Sequence, residues 1–361
     1  MILLIIALIA SIIYFISIIL FLLPYRRVEP KKHLPPVSVI IATRNEESVI
    51  EKTLKNLKKL DYPRLEIIVV DSSTDRTTKI ARKYADKIII EKNPSGKANA
   101  LNLGIRKARW DIVYVIDSDS LPEKNTLKKL VQSLNGYDAV VGLNLPDNRN
   151  GLISITARLE LAFLDGVDKI INRFLKTTII PGRNFVVYKK AIKKVGGFKQ
   201  ALTEDVNISW RMYKKDMKIG LADAVCREQV PERLSWFLKQ QERWTRGAFH
   251  ELITSLPHLS ILELLVFLPS IIFLVSAPTA MVSAIILYAA TGNSYLLFPL
   301  LLAVLILLIS EIKYLDSSDT LYFPAAALML GIIQIHAFFI SMIKSTLGIR
   351  TQWYKTPKKK K

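Results

Sequence analysis

The sequence predicts an α/β fold with a mostly parallel sheet, flanked by transmembrane α-helices. Short apolar runs alternate with helical patterns between residues 37 and 232, which is the rhythm of strands and crossover helices. Uncharged apolar runs lie towards both ends of the chain, each long enough to cross a bilayer core, which takes about 20 residues. The 361 residues are 50% hydrophobic and yet carry 51 Lys and Arg against 31 Asp and Glu, a net charge of +20. A disordered basic protein would be poor in apolar residues, and a bare membrane bundle would not be 23% charged, so greasy and charged residues must be segregated along the chain. The single cysteine, Cys226, excludes an internal disulfide framework and a cysteine-rich metal site.

Met1 to Leu23 has no charged residue and is read as a spanning helix (residues 1–24). The competing reading, a cleaved signal peptide, lacks a basic leading region and a small-x-small cleavage site. Arg26, Arg27, Lys31 and Lys32 follow in a basic linker (25–36) and place that side in the cytoplasm. Val37 to Ala42, Leu65 to Val70, Lys87 to Ile90 and Asp111 to Ile116 read as strands. Glu47 to Leu60, Thr77 to Ala85 and Asn99 to Ala108 read as the helices between them. Residues 37–232 are thus one cytosolic domain, whose ligand would sit beyond the carboxyl ends of the strands. Asn207-Ile-Ser209 matches a glycosylation acceptor that a cytosolic face would leave unused.

Leu234, Phe237, Leu238, Trp244, Phe249 and Leu252 form a broken apolar stripe among basic residues, so 233–258 reads as an amphipathic helix on the membrane surface. Ile261 to Ala290, Tyr295 to Ile312 and Leu321 to Ile343 each suffice for one crossing (259–345). Pro269 and Pro278 would let the first of them begin along the interface. Three crossings put the basic tail (346–361) outside, whereas its lysines would hold it inside; its side stays open.

Polar residues collect at the strand ends. Asp117-Ser-Asp119 places two carboxylates one residue apart, a pattern that suits a hard divalent cation shared with substrate phosphates, and equally suits a solvated turn. Ser95-Gly-Lys97 opens a helix whose free N–H groups favour an anion, without the spacing of a nucleotide-hydrolase phosphate loop. Thr203-Glu204-Asp205 precedes a helical pattern; Thr203 could cap it, and a carboxylate beside an anionic substrate could serve as general base. In Gln240-Gln-Glu-Arg243-Trp244, Arg243 could clamp a phosphate, while Trp244 offers a flat face to a sugar or an anchor to the interface.

Taken in order, Val37-Ser-Val-Ile-Ile-Ala-Thr43-Arg-Asn-Glu46, Asp71, Gly96-Lys97, Asp117-Ser-Asp119, Gly182-Arg-Asn184, Gly196-Gly-Phe198, Thr203-Glu-Asp205 and Gln240-Gln-Glu-Arg-Trp244 resemble family 2 glycosyltransferases. The chain looks most like the membrane-embedded branch that includes cellulose, chitin and hyaluronan synthases and ceramide glucosyltransferase. The resemblance covers Val37 to Trp244 and implies a GT-A-type nucleotide-sugar-binding domain.

It also implies roles. Thr43, Glu46 and Asp71 would contact uridine, and Lys97 the diphosphate side of the nucleotide. Asp117 would face ribose and metal, and Asp119 would coordinate Mg²⁺ or Mn²⁺. Asn184 would line the donor-sugar pocket, Asp205 would be the catalytic base, and Arg243 would meet the diphosphate. Glu204 and Trp244 would frame the acceptor. Two departures bear on the base and ribose contacts. Ala42-Thr-Arg44-Asn-Glu46 stands for the usual Pro-Thr-Tyr-Asn-Glu, and Val70-Asp71-Ser72-Ser-Thr-Asp75 for Asp-Asp-Gly-Ser-Thr-Asp.

The resemblance implies inverting transfer from a UDP-sugar to a membrane-associated acceptor. About four spans are too few for one protomer to enclose a polymer channel, which favours a lipid or lipid-linked acceptor. The alternative is a processive β-linked polysaccharide synthase, in which an oligomer could build the pore. A rival of another class, a non-catalytic basic binding protein at the membrane, explains the charge but not the acids at successive strand ends. Nucleic acid is not an expected partner.

Overall fold

The computed structural model describes residues 33–147, 151–255, 277–297 and 321–347 continuously, with isolated positions elsewhere. In chain order the elements are β1 (Val37–Thr43), α1 (Ile50–Leu57), β2 (Leu65–Asp71), α2 (Thr77–Ala81), β3 (Lys87–Ile90), α3 (Lys97–Lys107), β4 (Ile112–Ile116) and β5 (Leu121–Pro122). There follow α4 (Thr126–Gln132), β6 (Ala139–Pro146), α5 (Leu152–Leu175), β7 (Phe185–Tyr188), α6 (Lys189–Lys194), α7 (Glu204–Tyr213) and β8 (Ile219–Glu228). The remaining helices are α8 (Leu234–Ser255), α9 (Ala277–Thr291) and α10 (Phe323–Thr346).

The chain forms two compact units. One holds Arg26–Asn148 and Lys176–Gln229, and therefore the sheet. Its eight strands run in the order β3-β2-β1-β4-β7-β6-β8-β5. β1 pairs in parallel with β2 and β4, β2 with β3, and β6 with β8; β7 runs antiparallel to β4 and β6, and β5 to β8. The register sets Thr43 opposite Asp71 and Ile41 opposite Ile116, so Thr43, Asp71 and the following Asp117 emerge at one edge.

β1 and β4 are near-continuous apolar runs because both faces of this part of the sheet are covered. Val39, Ile41, Val69 and Tyr114 pack with Ile50, Leu54 and Leu57 of α1. α3 lies close on β1, where a Cβ at Gly104 would stand 2.6 Å from Ile40. The four anticipated strands form within a residue of their expected bounds. α1 is shorter than Glu47 to Leu60 at both ends, and α3 begins two residues before Asn99. α2 ends at Ala81 rather than Ala85, and β5 to β8 and α4 to α6 are elements beyond those the sequence pattern predicts.

The other unit holds Arg149–Leu175 and Val230–Thr356, so α5 groups with the late helices although it lies within the 37–232 segment expected to be a single domain. α10 packs on α5 and α8, and Ala157, Phe237 and Ile333 from the three helices share an apolar cluster with Val230. Among the described residues one helix, Phe323–Thr346, is long and apolar enough to cross a membrane, with mean hydropathy 2.1. α9 is described over 15 residues. The spans expected at Met1 to Leu23 and Tyr295 to Ile312, and the basic tail, lie for the most part outside the described residues.

Candidate active site

At the carboxyl end of β2, Asp71 is buried to 1% exposure and surrounded by donors. The Thr43 hydroxyl donates to its Oδ1 at 2.8 Å, the Ser73 amide donates to the same oxygen at 3.2 Å, and the hydroxyls of Ser73 and Thr78 also donate to the carboxylate. Asn45, at φ +54°, extends the stitching: its Oδ1 accepts from the Thr74 amide at 2.9 Å while its own amide donates to Ser73 Oγ at 2.7 Å. The Glu46 amide donates to Thr77 Oγ1 at 2.8 Å, and Glu46 is buried. The structure thus brings Thr43, Glu46 and Asp71 together as one rigid corner between the β1 and β2 loops.

The acids beyond β4 are held differently. Lys97, the first residue of α3, points its Nζ at Asp117 Oδ1 (2.8 Å) and Glu204 Oε1 (3.4 Å), and donates to the Gly182 carbonyl at 3.4 Å. Burial pulls the Lys97 pKa down, but Asp117, Glu204 and Asp205 outweigh that loss and hold it above the ordinary lysine value. Lys97 is therefore a permanent cation. Its loop has a fixed shape: Gly96 takes φ +95°, a Cβ there would meet Gln200 Nε2 at 2.6 Å, and that amide donates to the Ser95 carbonyl. Behind it, Asn102 of α3 clasps the backbone of Phe198, donating to its carbonyl and accepting from its amide, both at 2.8 Å. This explains why Gly196-Gly-Phe198 belongs with the motif.

Asp205 sits in the first turn of α7, where its Oδ1 accepts from the Val206 amide at 2.9 Å. Ser209 fixes that turn against the segment leading into β7, donating to the Asp205 carbonyl at 2.7 Å and accepting from the Ile180 amide at 2.8 Å. Gly182, at φ +72°, leaves the room: a Cβ there would stand 2.7 Å from Asp205 Oδ2. The expected cap is not made. Thr203 occupies the N-cap position without a side-chain capping bond, and its buried Oγ1 has no hydrogen-bond partner. Its φ of −130° and ψ of 79° differ from the fully extended geometry typical of a capping residue.

Asp117 and Asp119 flank a tight turn in which the Ser120 amide donates to the Asp117 carbonyl at 3.1 Å and the Asp117 amide to Ser120 Oγ at 3.2 Å. Among the described residues no group of three His, Cys, Asp or Glu side chains could hold a metal. Two carboxylates with oxygen donors alone fit a hard divalent cation that completes its shell from phosphate and water.

Sequence reasoning missed Arg183 and Glu228. The Arg183 guanidinium pairs with the Glu228 carboxylate, 45 residues on, and donates from Nη1 to the Pro181 carbonyl at 3.1 Å. Burial lowers the Arg183 pKa, but Glu228, Asp117 and Asp119 raise it further, so this second cation serves the same acidic turn. Burial raises the Glu228 pKa more than Arg183 lowers it. Arg183 lies within the Gly182-Arg-Asn184 motif, but nothing local points to its distant partner. Cys226 is buried beside this pair, and burial followed by Glu228 pushes its thiol pKa far up, leaving it an inert packing residue.

Asn184 is fully buried at φ +52°. Its Oδ1 accepts from the Tyr114 hydroxyl at 3.1 Å, and its Nδ2 donates to the Leu143 and Ala224 carbonyls at 3.2 and 3.0 Å. The amide is spent within the sheet, joining β4, β6 and β8. Arg243 and Trp244 lie on α8, half-buried in the helical unit.

An extended sheet with acids and cations gathered beyond its parallel strands defines a GT-A-like α/β fold. Residues 38–196 match the model of Glycosyl transferase family 2. It is 35% identical over 247 residues to the probable glycosyltransferase YdaM of Bacillus subtilis, covering 61% of this chain and 56% of that protein. It is 30% identical over 231 residues to the poly-beta-1,6-N-acetyl-D-glucosamine synthase of Staphylococcus aureus, with the same coverage of 61% and 56%. The chain therefore spans just over half the length of these curated relatives. The mannosyltransferase PcManGT from Pyrobaculum calidifontis, solved with GDP-Man and Mn²⁺, shares the fold at a TM-score of 0.65 and 21% identity, over 95% of this chain and 96% of that one.

Proposed function

We propose that this protein is an inverting glycosyltransferase that moves a sugar from a nucleotide diphosphate donor, a UDP-sugar, to a membrane-associated acceptor at the cytosolic face. The observation that carries the reading is the gathering of Lys97, Asp117, Glu204 and Asp205 around Gly182. One side of this cluster suits a diphosphate and its cation, the other a hydroxyl to be deprotonated. The relatives' names and the Mn²⁺ and nucleotide sugar of the structural neighbour support it.

Asp205 is the base that takes the proton of the acceptor hydroxyl as it attacks the anomeric carbon opposite the diphosphate. Asp117 and Asp119 would hold Mg²⁺ or Mn²⁺, which supplies charge neutralisation of the departing diphosphate. Lys97 adds a fixed positive charge on the leaving side, and Arg243 a bidentate donor. Thr43, Glu46 and Asp71 form the wall against the nucleoside, with Asp71 acting mainly as the knot of that wall. Glu204 aligns Lys97, and Trp244 is assigned to the acceptor by its motif. Asn184 supports the pocket through the sheet and leaves the donor to its neighbours. A single displacement inverts the anomeric centre.

α10 suits a membrane anchor by its length and hydropathy, and the acceptor is assigned as a lipid or lipid-linked glycan. A second reading, processive synthesis of a β-linked polysaccharide, is favoured by the kinship to poly-beta-1,6-N-acetyl-D-glucosamine synthase. Membranes carrying the protein, incubated with labelled UDP-sugars and with a GDP-sugar control, decide the donor. Organic extraction then separates the acceptors: extractable product supports the lipid reading, and a long lipid-free polymer overturns it in favour of the second.

A further inference from the structure

Within the helical unit, three buried polar side chains meet where apolar helices cross. Glu160 of α5, Gln241 of α8 and Gln334 of α10 are each no more than 5% exposed. Gln241 Nε2 donates to Glu160 Oε2 at 2.7 Å, and Gln334 Nε2 donates to Glu160 Oε1 at 3.0 Å and to Gln241 Oε1 at 3.1 Å. The contacts continue along α10. Ser341 Oγ donates to the Glu242 carbonyl at 3.4 Å, and Lys344 pairs with the Glu242 carboxylate.

Positions 334, 341 and 344 fall on one helical stripe. Gln334, Ser341 and Lys344 of this mainly apolar helix thus share the face that meets α8, while His336 is exposed on another. Apolar side chains of similar size would pack the three helices without the cost of burying polar groups. They would not, however, specify one register, since apolar surfaces tolerate sliding where mutually satisfied hydrogen bonds do not. The segment so fixed is Gln241-Glu242, the residues immediately before Arg243 and Trp244.

We infer that Glu160, Gln241 and Gln334 are positioning residues that set the register of α8, and so the placement of Arg243 and Trp244 for sugar transfer. α10 is then an aligning element as well as an apolar helix. The inference rests on the role proposed above for Arg243. Glu160 acts through hydrogen bonds it accepts, those from Gln241 and Gln334 among them, and not through a proton it transfers.

The test uses the full-length protein in membranes or detergent. Gln334→Leu and Glu160→Leu are expected to lower kcat by about 10- to 100-fold, the scale set by small misplacements of reacting groups, with donor KM and the calorimetric Kd for UDP near their wild-type values. Glu160→Gln is expected to retain more activity than Glu160→Leu, because two of the three hydrogen bonds persist although no set of amide flips restores all three. Hydrogen exchange supplies a readout free of catalysis: amides of residues 240–246 should exchange about tenfold faster in Gln334→Leu, while the sheet unit is unchanged. Wild-type kcat and wild-type exchange in Gln334→Leu would overturn the inference. So would a Glu160→Gln protein as inactive as Glu160→Leu, since the two surviving hydrogen bonds would then contribute nothing to placement. If the wild-type protein transfers no sugar at all, the proposed function fails, and exchange alone then decides the register claim.

Discussion

The acids at the end of β2 and those beyond β4 serve one sheet and are held in opposite ways. Asp71 is sealed at 1% exposure by neutral donors from its own corner, namely Thr43, Ser73 and Thr78. Asp117 leaves 28% of its side chain exposed and is held by the ammonium of Lys97, which also reaches Glu204. Hydroxyls and amides locked in a turn cannot be exchanged without unmaking the turn. A lysine on a flexible stem can move from one anion to another. The difference separates a framework carboxylate, Asp71, from Asp117, which is proposed to work on the substrate, although both are aspartates at or just beyond strand ends.

Substitutions can break that contrast. The largest effect is expected from Asp205→Asn, which should cut kcat by about 10² to 10⁴-fold, the usual worth of a general base, with UDP affinity little altered; single-turnover transfer assays beside calorimetry measure both. Gly182→Ala comes next. It forces a side chain to φ +72° and places Cβ 2.7 Å from Asp205 Oδ2, so kcat should fall by about 10²-fold through displacement of the base while the fold persists by circular dichroism.

Asp71→Ala and Asp117→Ala form the direct comparison. The first strips the acceptor from several buried donors and should cost about 1–3 kcal/mol in a denaturant titration. The second should leave the melting temperature almost unchanged and abolish metal-dependent nucleotide binding. Equal thermal losses in the two variants would erase the distinction between framework and working acids. The smallest effect is expected at Thr203, whose Oγ1 makes no capping bond. Thr203→Ala should cost less than the ~1 kcal/mol typical of a lost cap. A substantial loss of kcat with unchanged stability would instead place that hydroxyl on the substrate.

What was legible in the sequence is the parallel half of the sheet. β1, β2 and β4 are largely buried and so read as apolar runs, and the half-buried end strand β3 shows itself by its three consecutive isoleucines. Lys97, Asp117, Glu204 and Asp205 were legible as a set because each follows a strand or opens a helix. The hidden part depends on partners distant in the chain. Nothing near Arg183 announces Glu228, and nothing near Asn184 shows that Tyr114, Leu143 and Ala224 consume its amide. α5 escaped notice because Arg158, Glu160 and Asn172 break its apolar pattern and yet are buried in the structure. Hydropathy reads such a helix as a surface segment, whereas Glu160 is matched by glutamines 81 and 174 residues further along.

The region beyond the carboxyl end of β4 is proposed as a metal-assisted nucleotide-sugar site. Titration calorimetry of UDP into the wild-type protein and into Asp119→Asn, each with and without Mn²⁺, tests it most directly. The account predicts binding by the wild-type protein that needs the metal and is lost in Asp119→Asn. UDP binding that ignores both the metal and Asp119, or no UDP binding under any condition, would contradict it.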